Sequence, residues 1–326
     1  MRIVFMGSSA ASATCLYAIT REKDLEVVGV VTQPDRPAGR GKTLQPCPCK
    51  KFAIEHDLGP VITPENVNDP DAMAQLRSWN PDAIAVVAYG QFLKEPLLKL
   101  PPFGCVNCHF SLLPKYRGAS PVVAAIANGD RRSGVSIIRM GLGMDDGPIL
   151  HQSYEPVYSD TTGGELMDTL AVAGGVRLAQ TLAKMAKNEL PPEIAQDERD
   201  ATFARKLKKT DGLVRWDDPV LVIERRIRAY YPWPGVYTFL PERFRKKGNS
   251  GRVVVLRAEF TRMEESWRGA RPGTVLALDK KGPVVKCGDT AILLTELKPE
   301  GGGVMNGAAF LNGRKLVPGE DSFLEA

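Results

Sequence analysis

Short runs of apolar residues alternate with helix-like segments through the first half of the chain. The runs cover residues 2–6, 25–32, 83–88, 105–108 and 134–140, and the third is apolar at every position. Strands that are apolar on both faces belong in a sheet that helices cover on both sides. Helical stretches separate the first four runs, which is the pattern of parallel strands joined by crossover helices. This half is therefore predicted to form a parallel α/β sheet.

The pattern changes further along the chain. The capping box Thr162-Gly163-Gly164-Glu165 predicts a helix that ends near Asn188, because Pro191-Pro192 follows. A helix is predicted at 220–230, and short strand-like runs then follow between Gly- and Lys-rich turns, at residues 235–240, 252–260, 273–278, 283–287 and 291–297. Many short strands in succession are typical of a small antiparallel barrel.

The predicted fold class is α/β, with two domains of different kinds. A Rossmann-like parallel-sheet domain is predicted at 1–188, a linker at 189–204, and a smaller OB-like β-barrel domain at 205–326. The length of 326 residues fits one larger and one smaller domain.

Positive charge is concentrated in the C-terminal part. Residues 201–326 hold 23 Lys and Arg against 15 Asp and Glu, whereas residues 1–200 hold 20 against 23. Basic clusters lie at 205–209, 225–228 and 243–247. Such an excess indicates either a surface for a polyanion or a set of solvated basic faces, and charge alone does not identify the polyanion.

Several classes of protein are excluded by what the sequence lacks. The longest strongly apolar run, 83–88, is far shorter than the roughly 20 residues of a membrane helix, so no membrane span is expected. The apolar run at 3–6 is too short for the core of a signal peptide, so a cytoplasmic protein is expected. Cys47-Pro48-Cys49 has the wrong spacing for a zinc pair, and no metal is predicted. The first turn has one glycine, Gly7, where a dinucleotide fingerprint needs three.

The densest polar segment follows the predicted central strand at 105–108. Asn107 and His109 are two positions apart, so in a strand their side chains project to the same face. A second loop, 141–148, carries the adjacent carboxylates Asp145 and Asp146 between glycines. An amide, an imidazole and a carboxylate brought together form a plausible proton-transfer and oxyanion site, with Asp146 as the weaker candidate for the carboxylate.

These residues resemble the signature of the folate-dependent formyltransferases. The likeness rests on Asn107-x-His109, on Ser111-Leu112-Leu113-Pro114-x-Tyr116-Arg117-Gly118, and on Asp145, which lies 38 positions after Asn107. It continues over nearly the whole chain, in order, through residues 1–7, 32–42, 88–91, 203–207, 227–229 and 232–235. The chain departs from the family pattern at 8–12 and at Cys108 and Phe110.

The resemblance implies an activity and its partners. The implied reaction moves a formyl group from 10-formyltetrahydrofolate to the α-amine of methionine on initiator tRNA, for translation initiation. No metal, DNA or membrane is implied, and a monomer is expected.

The resemblance also implies roles for residues of this chain. The implied catalytic residues are Asn107, His109 and Asp145. The implied folate-binding residues are Ser111, Leu112, Leu113, Pro114, Tyr89, Gln91 and Gly143. The implied tRNA-binding residues are Arg36, Arg40, Lys42, Arg205, Lys206 and Lys208.

Other functions fit part of the same pattern. A formyltransferase acting on an amino sugar nucleotide, or a hydrolase that releases formate from the same folate, would share Asn107, His109 and Asp145. A non-catalytic RNA-binding module is an alternative from another class. The basic loop at 33–42 and the basic C-terminal part argue against the first two, and the intact Asn–His–Asp set argues against the third.

Overall fold

The chain forms two compact units. The computed structural model describes residues 1–38, 43–245 and 248–324. The first unit comprises Met1–Val122, Arg131–Val157 and Glu165–Arg205, and the second comprises Val123–Asp130, Tyr158–Gly164 and Lys206–Ala326.

The strands and helices up to Arg205 are as follows. The strands are β1 (Arg2–Gly7), β2 (Glu26–Val31), β3 (Arg36–Ala38), β4 (Thr43–Gln45), β5 (Val61–Ile62), β6 (Ala83–Val87), β7 (Cys105–His109), β8 (Arg117–Gly118), β9 (Arg132–Arg139), β10 (Ile149–Pro156) and β11 (Phe203–Ala204). The helices are α1 (Ala10–Thr20), α2 (Pro48–Glu55), α3 (Pro70–Ser78), α4 (Glu95–Leu98), α5 (Pro121–Asn128) and α6 (Gly163–Ala186).

A seven-stranded sheet is the centre of the first unit. Its order is β10-β9-β7-β6-β1-β2-β5, and the five strands from β7 to β5 are parallel. The α/β class and the mostly parallel sheet are thus confirmed. The fifth predicted strand, β9, differs by running antiparallel to β7. Its direction was not predictable because an apolar run is buried equally well in either orientation.

The two faces of the sheet pack against different helices. Val4, Met6, Ile84 and Val86 belong to one cluster with side chains of the 70–79 region, including Trp79. On α6, an added Cβ at Gly174 would lie 2.7 Å from Cys108 Sγ, and one at Gly175 would lie 3.0 Å from Cys15 Cα. The two glycines therefore let α6 approach β7 and α1 closely. This packing fixes the strand that carries Asn107 and His109.

Residues 189–204, predicted as a linker, are hydrogen-bonded to the first unit. Ile149 and Ile194 exchange two main-chain hydrogen bonds of 2.8 and 3.0 Å. Further on, β11 pairs in parallel with β8, so that Ala204 lies opposite Gly118. The segment is therefore part of the framework around the loop that follows β7.

The second unit is built on an antiparallel sheet. Its strands are β12 (Val236–Phe239), β13 (Arg252–Phe260), β14 (Val275–Asp279), β15 (Gly282–Lys286), β16 (Ala291–Pro299) and β17 (Met305–Asn306), and its helices are α7 (Val220–Ala229) and α8 (Gly307–Asn312). The strand order is β12-β13-β16-β15-β14, and β17 pairs with β16. Strands β13 and β16 match the predicted runs at 252–260 and 291–297 closely: β13 covers the same residues, and β16 extends two residues further, to Pro299.

The C-terminal segment bridges the two edges of this sheet. Leu324 exchanges main-chain hydrogen bonds with Phe239 of β12, while the N–H of Val275 in β14 donates to Asp321 O at 2.8 Å. The bridge gives the sheet the closed, barrel-like form that was predicted. Trp216 and Phe310 are fully buried in its core.

None of the helices in the described parts of the chain is long and apolar enough to cross a membrane.

Candidate active site

A cavity of about 340 Å³ lies in the first unit, beside the end of β7. Asn107 and His109 line it, and they are only 8% and 6% exposed. Because the carboxyl ends of parallel strands are where open α/β sheets bind ligands, this location agrees with the sequence-based expectation. Asp145 also lines the cavity, so the three predicted catalytic residues share one site.

Asp145 is the centre of the polar contacts. Its Oδ1 accepts a hydrogen bond from Asn107 Nδ2 at 3.3 Å, and its Oδ2 accepts one from the main-chain N–H of Gly118 at 2.8 Å. His109 Nδ1 lies 3.5 Å from the same Oδ2. Asp146, the alternative carboxylate, is exposed and is not among the residues that line the cavity.

The two ring nitrogens of His109 have different partners. Nε2 lies 2.9 Å from the carbonyl oxygen of Tyr116. A carbonyl oxygen only accepts, so Nε2 carries a hydrogen and donates it. Nδ1 is therefore the nitrogen that is left to exchange a proton, and it faces Asp145. The sequence pattern could not show this, because the assignment depends on the fold of residues 116–118.

The main chain of Asp145 has an unusual conformation. Its φ is +53°, in the left-handed region, where a non-glycine residue is strained by on the order of 1–3 kcal/mol. Gln196 Nε2 donates to Asp145 O and to Gly147 O, both at 2.7 Å. These contacts hold the loop that presents the carboxylate.

Gln196 is in turn linked to Arg117. Its Oε1 accepts from Arg117 Nε at 3.1 Å and from Nη2 at 3.0 Å, and Glu198 pairs with the same guanidinium at 2.7 and 2.9 Å. Arg117 is 3% exposed, and the bond to Glu198 raises its pKa while lowering the pKa of Glu198. Sequence reasoning missed Gln196 and Glu198, since a polar, acidic stretch after two prolines has no feature that distinguishes it from a linker.

The predicted folate-binding residues fall into two groups. Tyr89 and Gln91 line the cavity, and Ser111, Leu112, Leu113, Pro114 and Gly143 are not among the residues that line it. Ser111 and Leu113 are buried, and Ser136 bonds both: its Oγ donates to Ser111 O at 2.7 Å and accepts from the Leu113 N–H at 3.0 Å. Gly143 is exposed in the loop before Asp145.

Tyr89 packs in an apolar cluster, whereas Gln91 is held by hydrogen bonds. The Tyr89 side chain is 2% exposed, and burial raises the pKa of its hydroxyl. Gln91 Oε1 accepts from the N–H of Val67 at 2.8 Å, and its Nε2 donates to Pro64 O at 2.9 Å. The Gln91 side chain therefore anchors the 64–67 loop at the cavity wall.

The predicted tRNA-binding residues are mostly on the surface. Arg36 is exposed and pairs with Glu65 at 2.8 Å, and Arg205, Lys206 and Lys208 are also exposed. Arg40 and Lys42 lie outside the residues that the structure describes. Across residues 1–38, 43–245 and 248–324, no group of three or more His, Cys, Asp or Glu side chains could hold a metal ion.

Known sequences match the chain over almost its entire length. The family model described as formyl transferase matches residues 1–182, and the formyl transferase C-terminal domain matches residues 206–315. A methionyl-tRNA formyltransferase of Pseudomonas putida (strain GB-1) is 41% identical over 315 residues, which cover 97% of this chain and 96% of that protein.

Solved structures share the fold at low identity. The N-formyltransferase from Helicobacter canadensis, solved with folinic acid and dTDP-3-aminofucose, has a TM-score of 0.60 at 16% identity, over 90% of this chain and 98% of that one. HypX from Aquifex aeolicus, in complex with tetrahydrofolic acid, has a TM-score of 0.58 at 16% identity over 95% of this chain. The chain spans about half the length of HypX, with 47% of it covered.

The two family models together with the 41% identity to a full-length relative are decisive: this chain belongs to the formyl transferase family, in the group that the methionyl-tRNA formyltransferases represent.

Proposed function

We propose that this protein transfers the formyl group of 10-formyltetrahydrofolate to the α-amine of methionine esterified to initiator tRNA. The observation that carries the proposal is the convergence of Asn107, His109 and Asp145 on one cavity, in a chain that is 41% identical to a methionyl-tRNA formyltransferase over almost its whole length.

The cavity suits a folate. Its volume of about 340 Å³ is within the range of small-molecule sites. Its wall is largely apolar and also includes the polar side chains of Gln91, Asn107, His109 and Asp145, which suits a flat ring system that carries a reactive group. The apolar side chains are Val86, Leu93, Phe110, Met140 and Met167.

The reaction exchanges one bond for another. The carbon–N10 bond of the donor breaks, a carbon–nitrogen bond to the amine forms, and one hydrogen passes from the amine nitrogen to N10. Negative charge develops on the formyl oxygen during attack, so a preorganised hydrogen-bond donor beside that oxygen lowers the barrier. Asn107 fits this role, because Nδ2 carries two hydrogens and the bond to Asp145 uses one.

His109 and Asp145 are suited to moving the hydrogen. The proton leaving the amine can be taken up at Asp145 Oδ2 or His109 Nδ1, which are 3.5 Å apart. That separation is long for a hydrogen bond. Contacts between catalytic groups are commonly long in the absence of substrate and shorten when the substrates bind. In its protonated form, His109 directs Nδ1–H at Asp145 Oδ2, and its positive charge stabilises the developing negative charge.

The acceptor is a tRNA in this proposal. Exposed cations at Arg36, Arg205, Lys206 and Lys208 can contact phosphates, an interaction that carries little sequence information. By resemblance to the family, Arg40 and Lys42 are proposed to contact the tRNA as well. We propose a cytoplasmic monomer in which a tRNA-binding domain at 205–326 follows the catalytic domain.

A substrate comparison tests the function. The purified protein is incubated with 10-formyltetrahydrofolate and either methionyl initiator tRNA, uncharged initiator tRNA or a dTDP-amino sugar. Formyl transfer to charged initiator tRNA alone is expected. Transfer to the amino sugar favours the sugar formyltransferase, and release of formate without any acceptor favours the hydrolase. Tight tRNA binding without turnover favours the non-catalytic RNA-binding module.

A further inference from the structure

The side-chain amide of Gln196 is hydrogen-bonded at every position it offers. Nε2 donates both hydrogens, one to Asp145 O and one to Gly147 O, each at 2.7 Å. Oε1 accepts from two guanidinium nitrogens of Arg117. This set of partners also fixes the orientation of the amide, because a flipped amide would direct an oxygen at two carbonyl oxygens.

Arg117 connects this amide to the strand beside the catalytic residues. Its guanidinium is buried and is held from the other side by Glu198, whose side chain is 71% exposed. A buried cation needs partners for its hydrogens, and Gln196 and Glu198 supply them. The Glu198 side chain is largely exposed, whereas Gln196 is half-buried, so Gln196 is the more enclosed of the two partners of Arg117.

The residues on either side of Arg117 form main-chain hydrogen bonds with the side chains of His109 and Asp145. The carbonyl of Tyr116 accepts from His109 Nε2, and the N–H of Gly118 donates to Asp145 Oδ2. One short stretch of main chain therefore orients the imidazole and the carboxylate together. Gln196 links the side chain of that stretch to the main chain of Asp145.

Asp145 needs such support because of its backbone. A non-glycine residue at φ +53° persists only where surrounding contacts stabilise it. The carbonyl that Gln196 holds belongs to this same residue. Without that bond, the loop has fewer contacts that keep Oδ2 within reach of His109.

We propose that Gln196 is a positioning residue, which fixes the Asp145 carboxylate against His109 through its bonds to Asp145 O, Gly147 O and Arg117. The consequence for turnover rests on the proposed formyl transfer, whereas the consequence for the His109–Asp145 geometry does not. Gln196 does not contact substrate in this proposal, since it is not among the residues that line the cavity.

Two substitutions of Gln196 remove the hydrogen bonds of its amide while keeping the length of the side chain. Gln196→Glu replaces Nε2 by an oxygen facing two carbonyl oxygens, and Gln196→Met keeps the length without hydrogen bonds. Gln75→Glu is the matched control: Gln75 is an exposed residue of α3 whose Nε2 donates to Ser78 at 3.1 Å. Glu198→Gln tests the solvent-facing partner of Arg117. All four proteins are first compared with wild type by thermal unfolding.

Steady-state kinetics give one readout. In both Gln196 variants, kcat is expected to fall by about 10- to 100-fold, because a misplaced catalytic group costs turnover. The KM for the folate should stay within about threefold, since Gln196 itself does not line the cavity. A smaller fall in kcat is expected for Glu198→Gln, and no fall is expected for Gln75→Glu. A folded Gln196→Met protein that keeps wild-type kcat, or that changes KM alone, would overturn the proposal.

Histidine NMR gives a readout that needs no turnover. The chain has three histidines, so ¹⁵N-histidine labelling yields a spectrum that a His109→Ala variant assigns. The His109 ring signals should shift in both Gln196 variants and in Asp145→Asn, and stay in place in Gln75→Glu. Unchanged His109 signals in folded Gln196 variants contradict the positioning role. If wild type does not formylate any tRNA, the proposed function fails, while these spectra still decide the role of Gln196.

Discussion

The main-chain N–H of Gly118 donates a 2.8 Å hydrogen bond to Oδ2 of Asp145, across 27 positions of sequence. Gly118 has φ +113°, and its neighbour in the adjacent strand is Ala204. A Cβ at Gly118 would lie 2.7 Å from the Ala204 carbonyl oxygen. The close approach of β8 and β11 therefore depends on a glycine at the position that orients the carboxylate.

Gly118→Ala is expected to damage activity and stability together. The added methyl forces β8 away from β11, and alanine is strained at this φ, so the free energy of unfolding should fall by about 1–3 kcal/mol. Displacement of the N–H should lower kcat at least about 10-fold. Urea unfolding and steady-state kinetics measure both effects. Gly303→Ala is the control, because a Cβ there has no neighbour within 4 Å, and an equal loss in this variant would refute the explanation.

Asn107→Ala should lower kcat by about 10²- to 10³-fold, the usual cost of losing one donor to a developing oxyanion. The tRNA affinity should not change, because Asn107 is only 8% exposed at the cavity wall. Single-turnover formylation at saturating folate, together with filter binding of initiator tRNA, separates the two quantities. Equal formylation rates for the variant and wild type would remove Asn107 from the mechanism.

Asp321 should make the stability of the second unit depend on pH. Arg243 donates to both carboxylate oxygens, which holds the pKa of Asp321 below its usual value, and the N–H of Val317 adds a third bond. A lowered folded pKa adds stability above the unfolded pKa of about 3.9, and that stability is lost as pH falls through the folded pKa.

Asp321→Asn should therefore lower the free energy of unfolding near neutral pH by about 1.5 kcal/mol, since Arg243 is half exposed. The difference from wild type should shrink as the pH is taken below 4. Thermal unfolding followed by tryptophan fluorescence is suitable, because three of the four tryptophans lie beyond residue 205. Glu320→Gln, an exposed neighbour, should show little effect at any pH. A difference that grows toward low pH would contradict the ion pair.

Binding to initiator tRNA should weaken as salt is raised. If three or four phosphates are neutralised, affinity falls about 40- to 150-fold between 50 and 200 mM salt. Replacing Arg205, Lys206 and Lys208 together by alanine should reduce the slope of log K against log salt by about 2–3. Lys99→Ala, which removes an exposed lysine paired with Glu95, should leave the slope unchanged. A slope that the triple variant does not alter would place the tRNA elsewhere.

Much of the fold was predictable because apolar runs record burial. The runs at 83–88 and 252–260 became β6 and β13 with ends within one residue, since each is rich in apolar residues and has a glycine close to one end. Strand β10, at the sheet edge, was missed because only Ile149 and Leu150 are buried and the six residues after them are half-buried or exposed, so no apolar run marks the strand. The direction of β9 was also undetermined.

The sequence by itself determined which residues are candidates for the chemistry, because Asn107 and His109 on one strand and Asp145 after a later one are recognisable by type and spacing. Only the tertiary structure decided how they are oriented: which nitrogen of His109 faces Asp145, and that Gln196 and Gly118 hold that carboxylate. The physical reason is that residue type and spacing are local properties of the chain. Hydrogen bonds between groups 27 and 51 positions apart exist only after β7, β8 and the 189–204 segment have packed together.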